Sequence, residues 1–160
     1  MSNQKIWNTK LPKWIGLGLI LFAMAFSTSA FANQDMKPKE MQTVIEQARD
    51  AWEIRDAEAI AQLFTPDGEL IVPGQRWQGQ AEIRAEVSRF AQQYSNVKIV
   101  IRRMLFANNQ AAVEWYYEDT ENATGIRNKA DDAIIVDFKD GRISRWREYF
   151  DTKTPVSKSR

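Results

Sequence analysis

The spacing of apolar residues changes once along this chain, at Asn96, and that change limits the fold more than any other feature. Before it, apolar side chains recur at helical intervals. Met41, Val44, Ile45, Ala48 and Trp52 mark an amphipathic helix over residues 39–54, and Ile83, Val87, Phe90 and Tyr94 mark another that begins after Gly79. Between them, Asp56 is placed to cap a shorter helix reaching Phe64. Thr65-Pro66-Asp67-Gly68 reads as a turn, and Glu69–Val72 as a short strand stopped by Pro73-Gly74. After Asn96 the period becomes two. Val97–Phe106 and Ala111–Glu118 form strands around an Asn108-Asn109 turn. Residues 119–125 make a polar connection to a third strand, about Ile126–Phe138. Lys139-Asp140-Gly141 turns the chain into the last strand, Arg142–Phe150. Helices followed by hairpin-linked strands predict an α+β domain, with three helices packed on one face of a strongly curved, mostly antiparallel sheet that encloses a conical cavity.

Residues 1–32 do not belong to that pattern. Lys5, Lys10 and Lys13 precede an unbroken apolar run, Trp14–Phe26, which leads to Ala30-Phe31-Ala32. A positive start, an apolar stretch and an Ala-x-Ala site in that order describe a secretory signal peptide, with cleavage between Ala32 and Asn33. The competing reading is an uncleaved anchor, because the 19 residues Trp14–Ala32 carry no charge and are long enough to span a bilayer. The expected organisation is a signal at 1–32, a lead at 33–38, one domain at 39–152 and a disordered tail at 153–160. The expected location is periplasmic or extracellular, with membrane contact only through the signal if it is retained.

Cleavage changes the charge argument. It removes three lysines from 22 basic residues and leaves 19 against 21 acidic ones, a net of −2. A mildly acidic domain without a basic block is not built for nucleic acid. Zero cysteine excludes disulfides, a thiol nucleophile and a lipobox anchor, and zero histidine excludes Ser-His catalysis and histidine-ligated zinc. No cofactor or metal is expected.

Certain strings carry a family resemblance. They are Arg55-Asp56-Ala57-Glu58-Ala59-Ile60-Ala61-Gln62-Leu63-Phe64, Pro66-Asp67-Gly68, Gly79 before the third helix, and Asp140-Gly141-Arg142-Ile143-Ser144-Arg145-Trp146-Arg147-Glu148-Tyr149-Phe150-Asp151. With the element order, they resemble the SnoaL-like group of the nuclear-transport-factor-2-like superfamily over residues 40–152. The resemblance implies the fold and leaves the activity open, since this superfamily holds isomerases, cyclases, hydrolases and plain binding domains. Its ketosteroid isomerases use a tyrosine and two aspartates; those positions fall at Ala48, Val72 and near Val136 here, so that set is missing. Its limonene-epoxide-hydrolase type is matched at Trp146 and Glu148, where it has a tryptophan and a catalytic aspartate. The rest of that set falls on Trp115, Tyr117, Leu70 and Val72, so only one acid is kept.

The same correspondence sets the phase of the strands. It puts Ser144, Trp146, Glu148 and Phe150 on the cavity face, and alternation adds Val113, Trp115 and Tyr117, then Ile134, Val136 and Phe138, with Val72 closing one wall. The expected ligand-binding set is thus Val72, Val113, Trp115, Tyr117, Ile134, Val136, Phe138, Trp146, Glu148 and Phe150. Glu148 and Tyr117 are the candidate catalytic groups, because a carboxyl among apolar side chains takes a raised pKa unless it is paired. The structural alternatives are a plain core beneath the helices and a Glu148 ion pair with Arg127 or Arg102. Asp131 and Asp132 point to opposite faces and do not converge on a cation. Trp77 is a candidate lid, and Asn122-Ala123-Thr124 fits a glycosylation sequon. Ile99, Ile101, Ile135 and Ile143 fall on the outer face, with Arg145 and Arg147, and suit a homodimer contact. Three functions stand: a cavity domain binding a small apolar or aromatic molecule; an isomerase, cyclase or hydrolase using Glu148 as general acid or base; and a homodimeric assembly domain.

Overall fold

The computed structural model describes residues 35–150, which lie within the unit Ala32–Arg160. The signal segment, the Ala32–Asn33 junction and the tail after Phe150 lie outside the described residues. Three helices and six strands follow in the order α1 (Pro38–Ile54), α2 (Ala57–Leu63), β1 (Phe64–Val72), β2 (Gln75–Gln78), α3 (Gly79–Gln93), β3 (Tyr94–Ala107), β4 (Gln110–Glu121), β5 (Arg127–Lys139) and β6 (Arg142–Phe150). They form one curled sheet ordered β2-β1-β6-β5-β4-β3, antiparallel except where β1 runs parallel to β6. The α+β architecture is the one expected. Among the described residues no helix is long and apolar enough to cross a membrane.

The helices have local reasons to start and stop where they do. Pro38 opens α1, and Glu40 reaches back to accept the Lys37 N–H at 2.9 Å. At its far end Arg55 takes a left-handed conformation (φ 57°), and the Asp56 N–H bonds the Ala51 carbonyl at 2.9 Å. Asp56 then caps α2 by accepting the Ala59 N–H at 2.9 Å. From α1, Met41, Ile45, Ala48 and Ala51 are buried, and α3 contributes Ile83 and Val87. They join Ile60, Phe64, Leu70, Val113, Ile134, Val136, Phe138, Ile143 and Trp146 in one apolar core.

Four local features depart from the sequence expectation. The stretch Thr65–Gly68 is no turn: it lies within β1, where the ladder with β6 is interrupted between Phe64 and Glu69. Pro66 has no N–H to give, and Gly68 sits so close to β6 that a Cβ there would stand 3.0 Å from the Ile143 carbonyl oxygen. Pro73-Gly74 ends β1 as expected but folds the chain straight back into β2, with Val72 opposite Gln75 and Gly74 at φ 81°. Next, a bulge in the β5–β6 pair pits Asp137 against Arg145 and Phe138 against Ile143, leaving Ser144 as the extra residue. The bulge turns Ile143 inward to complete burial, correcting its expected place on the outer face. Finally, Ile99 stands opposite Tyr117 and Ile101 opposite Trp115, so both share the inner face and do not line the outer one. Of the four isoleucines expected outside, Ile135 alone pairs with outer-face neighbours, Ala112 and Arg147.

Candidate functional site

A cavity of about 450 Å³ opens between the helices and the concave face of the sheet. Alternation along the three central strands supplies its floor. From β4 come Trp115, Tyr117 and Asp119; from β5, Asn128, Ala130 and Asp132; from β6, Glu148 and Phe150. Their rows are set by register: Trp115 lies opposite Asp132, which lies opposite Phe150, and Tyr117 lies opposite Ala130. The walls come from Trp52 on α1, Glu86 and Phe90 on α3, Leu70 and Val72 on β1, and Tyr94 and Ile99 on β3. Gln75 and Trp77 on β2 stand at the edge. The aromatic wall is fixed by its own contacts. Phe90 meets Trp52 edge-on at 5.4 Å and stacks on Tyr94 at 5.0 Å.

Five of the expected ligand-binding residues are brought together here: Val72, Trp115, Tyr117, Glu148 and Phe150. The other five are not. Val113, Ile134, Val136, Phe138 and Trp146 sit at 0–5 % exposure in the core. Alternation gave their face correctly, but they are packed in one core with helix side chains, Met41, Ile45, Ile60, Ile83 and Val87 among them, and the open cavity occupies the end toward Tyr117 and Phe150. Trp146 still reaches the site indirectly, since its indole Nε1–H donates to Glu148 Oε1 at 2.8 Å and its ring lies 5.3 Å from Trp115.

The electrostatics of the site rest on three carboxyls. Glu148 does not pair with either arginine considered for it: Arg102 binds Asp131 at 2.7 Å and Arg127 binds Glu118. Burial pushes the Glu148 carboxyl up to about 7, against the lowering effect of the Trp146 hydrogen bond and with a further upward push from Asp132. Asp132 is 6 % exposed and accepts from the Trp115 indole N–H at 3.0 Å through Oδ2. Burial raises it to about 6, the Trp115 bond opposes this, and Asp131 adds to it. Asp119 is better solvated by its neighbours: Oδ2 accepts the Tyr117 hydroxyl at 2.6 Å and Oδ1 accepts the Asn128 amide at 2.7 Å. Burial first, then the charge and hydrogen bond of Asp119, hold the Tyr117 phenol far above its ordinary range, so it remains a proton donor.

Asp132, Asp119 and Asn128 were missed in the sequence. The signal that finds them is alternation carried two residues further along β4 and through the β5 register. The pair Asp131-Asp132 does diverge as expected, with Asp131 outside, but Asp132 belongs to the cavity in its own right. Among the described residues no three acidic, histidine or cysteine side chains gather as a metal site. A second recess of about 780 Å³ lies between the start of α1 and the Asp140-Gly141 turn, but no aromatic side chain lines it.

Fold and site together define a class: a helix-covered, curled-sheet cone with an aromatic, acid-bearing cavity. The sequence profile of the SnoaL-like domain matches residues 45–146, and the chain belongs to that family. Solved structures agree on the fold at low identity. A hypothetical protein with a ketosteroid-isomerase-like fold from Catenulispora acidiphila, in complex with trimethylamine, is 18% identical with a TM-score of 0.65, covering 73% of this chain and 88% of its own. An epoxide hydrolase of M. tuberculosis, like the limonene-epoxide-hydrolase type, is 19% identical with a TM-score of 0.63, covering 71% and 84%. TerC, co-crystallised with polyporic acid, is 21% identical with a TM-score of 0.63, covering 71% and 92%. No curated protein matches the chain.

Proposed function

We propose that this protein is an exported cavity domain that binds a small molecule with an apolar or aromatic body. The observation that carries the reading is the cavity of about 450 Å³, walled by Trp52, Trp77, Phe90, Tyr94, Trp115, Tyr117 and Phe150. Its size suits one small ligand, and Glu148, Asp132, Asp119, Asn128 and Tyr117 are each positioned by at least one hydrogen bond. The relatives bearing trimethylamine and polyporic acid support use of this fold for small-molecule binding. Three tryptophans line the cavity, so a panel of aromatic and apolar molecules should quench the intrinsic fluorescence saturably. Silence across the panel from a folded domain would reject the reading.

A second reading is favoured by one observation, the Glu148 carboxyl held near neutrality beside a phenol that stays protonated. Such a group is suited to move a proton to or from a bound neutral molecule. On that reading Glu148→Gln abolishes turnover of a substrate while leaving the melting temperature intact or higher; a variant that turns over normally contradicts it. Export rests on the lysine–apolar–Ala-x-Ala order of residues 1–32, and N-terminal sequencing of the mature protein should begin at Asn33.

A further inference from the structure

We propose that the cavity takes an organic cation, an amine or quaternary ammonium with an apolar body, held against Asp132 and Glu148 by charge and against the aromatic walls by their π faces. This rests on the reading that the cavity binds a small molecule and names its chemical class.

The charge inventory of the site is one-sided. Asp119, Asp132 and Glu148 face it, and none of the three belongs to an ion pair among the described residues. Cationic side chains nearby are spoken for. Lys129 borders the cavity but its ammonium is 3.5 Å from Glu118, which stands on the opposite face of β4. Arg89 is bound to Glu86 at the α3 wall, and Arg127 to Glu118. Arg147 lies over the ring of Tyr149, 5.1 Å from its centre. A ligand anion would therefore meet carboxyls without a free cationic partner among the described residues that line the cavity.

The second observation is Asp132 itself. It is 6 % exposed and lines the cavity, yet its Oδ1 has no hydrogen-bond partner among the described residues. A buried acceptor left without a donor is costly, and such atoms are rare without a functional reason. A hydrocarbon ligand would leave that oxygen as it is; an ammonium N–H, or the polarised methyl groups of a quaternary nitrogen, would satisfy it. Rings complete the site. Trp115 lies directly opposite Asp132 on one side and Phe150 on the other, with Tyr117 one row away. Trp115 turns its N–H edge to Asp132, so the ring-face attraction for a cation at that point falls to Tyr117 and Phe150. A metal ion fits less well, since among the described residues no three candidate ligands gather as a metal site and apolar rings do not replace its hydration shell.

Binding of a cation favours the ionised forms of Glu148 and Asp132, so affinity rises with pH through the range in which these two lose their protons. The other ionisable groups facing the site are Asp119 and Tyr117 on β4, the Glu118-bound Lys129 on β5, Tyr94 on β3 and the Arg89-bound Glu86 on α3, while among the described residues α1, β1 and β2 bring none. Of the groups with raised values, only Glu148 and Asp132 change charge between pH 5 and 8.

The test is a matched pair, phenyltrimethylammonium and its neutral isostere tert-butylbenzene, titrated by tryptophan fluorescence at pH 8 and pH 5. The ammonium should bind at least tenfold more tightly at pH 8, and its advantage should shrink at pH 5. The Asp132→Asn/Glu148→Gln double variant, checked for folding by its melting curve, should lose the preference yet keep the hydrocarbon. Equal or tighter binding of tert-butylbenzene by the native protein overturns the cation and leaves the small-molecule reading standing. A cation preference unchanged in the double variant also overturns the proposal, because the charge is then read elsewhere. Binding of neither probe by folded protein overturns both.

Discussion

Glu148 holds its carboxyl in a buried position with the Trp146 indole N–H as donor, and the cost of that position is measurable. Its folded value is about 7 against an ordinary 4.5. The folded state therefore keeps a proton that the unfolded chain has already released, and stability falls as pH rises from about 4.5 to 7. Above that range the full penalty applies, on the order of 3 kcal/mol. Asp132, shifted from 3.8 to about 6, adds a loss of the same sign between those values. Glu148→Gln keeps an oxygen for the Trp146 N–H and has no proton to lose, so its melting temperature should exceed the native protein's at pH 8 and approach it at pH 4.5. Melting curves that stay parallel across that range would place Glu148 in water and remove it from the site. Single residues were legible in the sequence where alternation alone decides: Trp115, Tyr117, Glu148 and Phe150 lie where their parity puts them. Asp132 was not, because two adjacent acids that diverge make no shared cation site, and nothing local says that Trp115 and Phe150 will stand on either side of one of them.

At the scale of elements, the α2 cap and the Asn108-Asn109 and Asp140-Gly141 turns were plain in the chain, whereas bulges and the passage of Thr65–Gly68 through β1 were not. Asp56 was marked by its residue type and position, and it does cap α2. Asp56→Ala should lower stability by about 1 kcal/mol in urea unfolding, with the denaturant slope unchanged; no change would mean the α2 N-terminus finds water instead. The bulge at Ser144 has no such mark. It arises because β6 must pair with β5 on one side and parallel β1 on the other, and that three-strand fit moves Ile143 from the outer face to the core. Gly68 records the same crowding, with the Ile143 carbonyl oxygen, the Phe64 Cβ and the Thr65 carbonyl oxygen all within 3.1 Å of where its Cβ would be. Gly68→Ala should cost at least as much as the lost cap, whereas residues on open turns tolerate change better. A Gly68→Ala variant as stable as the native protein would show that β1 is free to move away from β6. The strand β2 escaped notice because Gln75–Gln78 offers a single apolar residue, Trp77, and gains its place from pairing with β1.

The whole molecule has two faces with different duties. The concave face of the sheet is closed by helices around core and cavity. The convex face carries Val100 at 43 %, Leu105 at 61 % and Tyr149 at 49 % exposure, beside Arg102 stacked 5.4 Å from the Tyr116 ring centre. Such a mixed surface suits contact between two copies, and sedimentation at tens of micromolar should give a dimer that Leu105→Asp with Val100→Asp converts to monomer without loss of folding. A native monomer at that concentration would exclude the assembly reading. The α+β class was legible from the change of period at Asn96, since helices of that spacing and strands of that alternation have few ways to cover each other, and the conical closure was what the family resemblance implied. The extent of the cavity was not, because it depends on how far helix side chains fill the concave face of the sheet, which no stretch of sequence states locally. The central claim is that the open end of the cone holds a small molecule with a cationic group. It is tested most directly by the crystal structure of the protein purified, without unfolding, from its native source. The expected result is ordered non-protein density among Trp115, Tyr117 and Phe150, with an amine nitrogen within hydrogen-bond distance of Asp132 Oδ1 or the methyl groups of a quaternary nitrogen packed against it. A cavity filled by its own side chains, or holding only water at that oxygen, would contradict it.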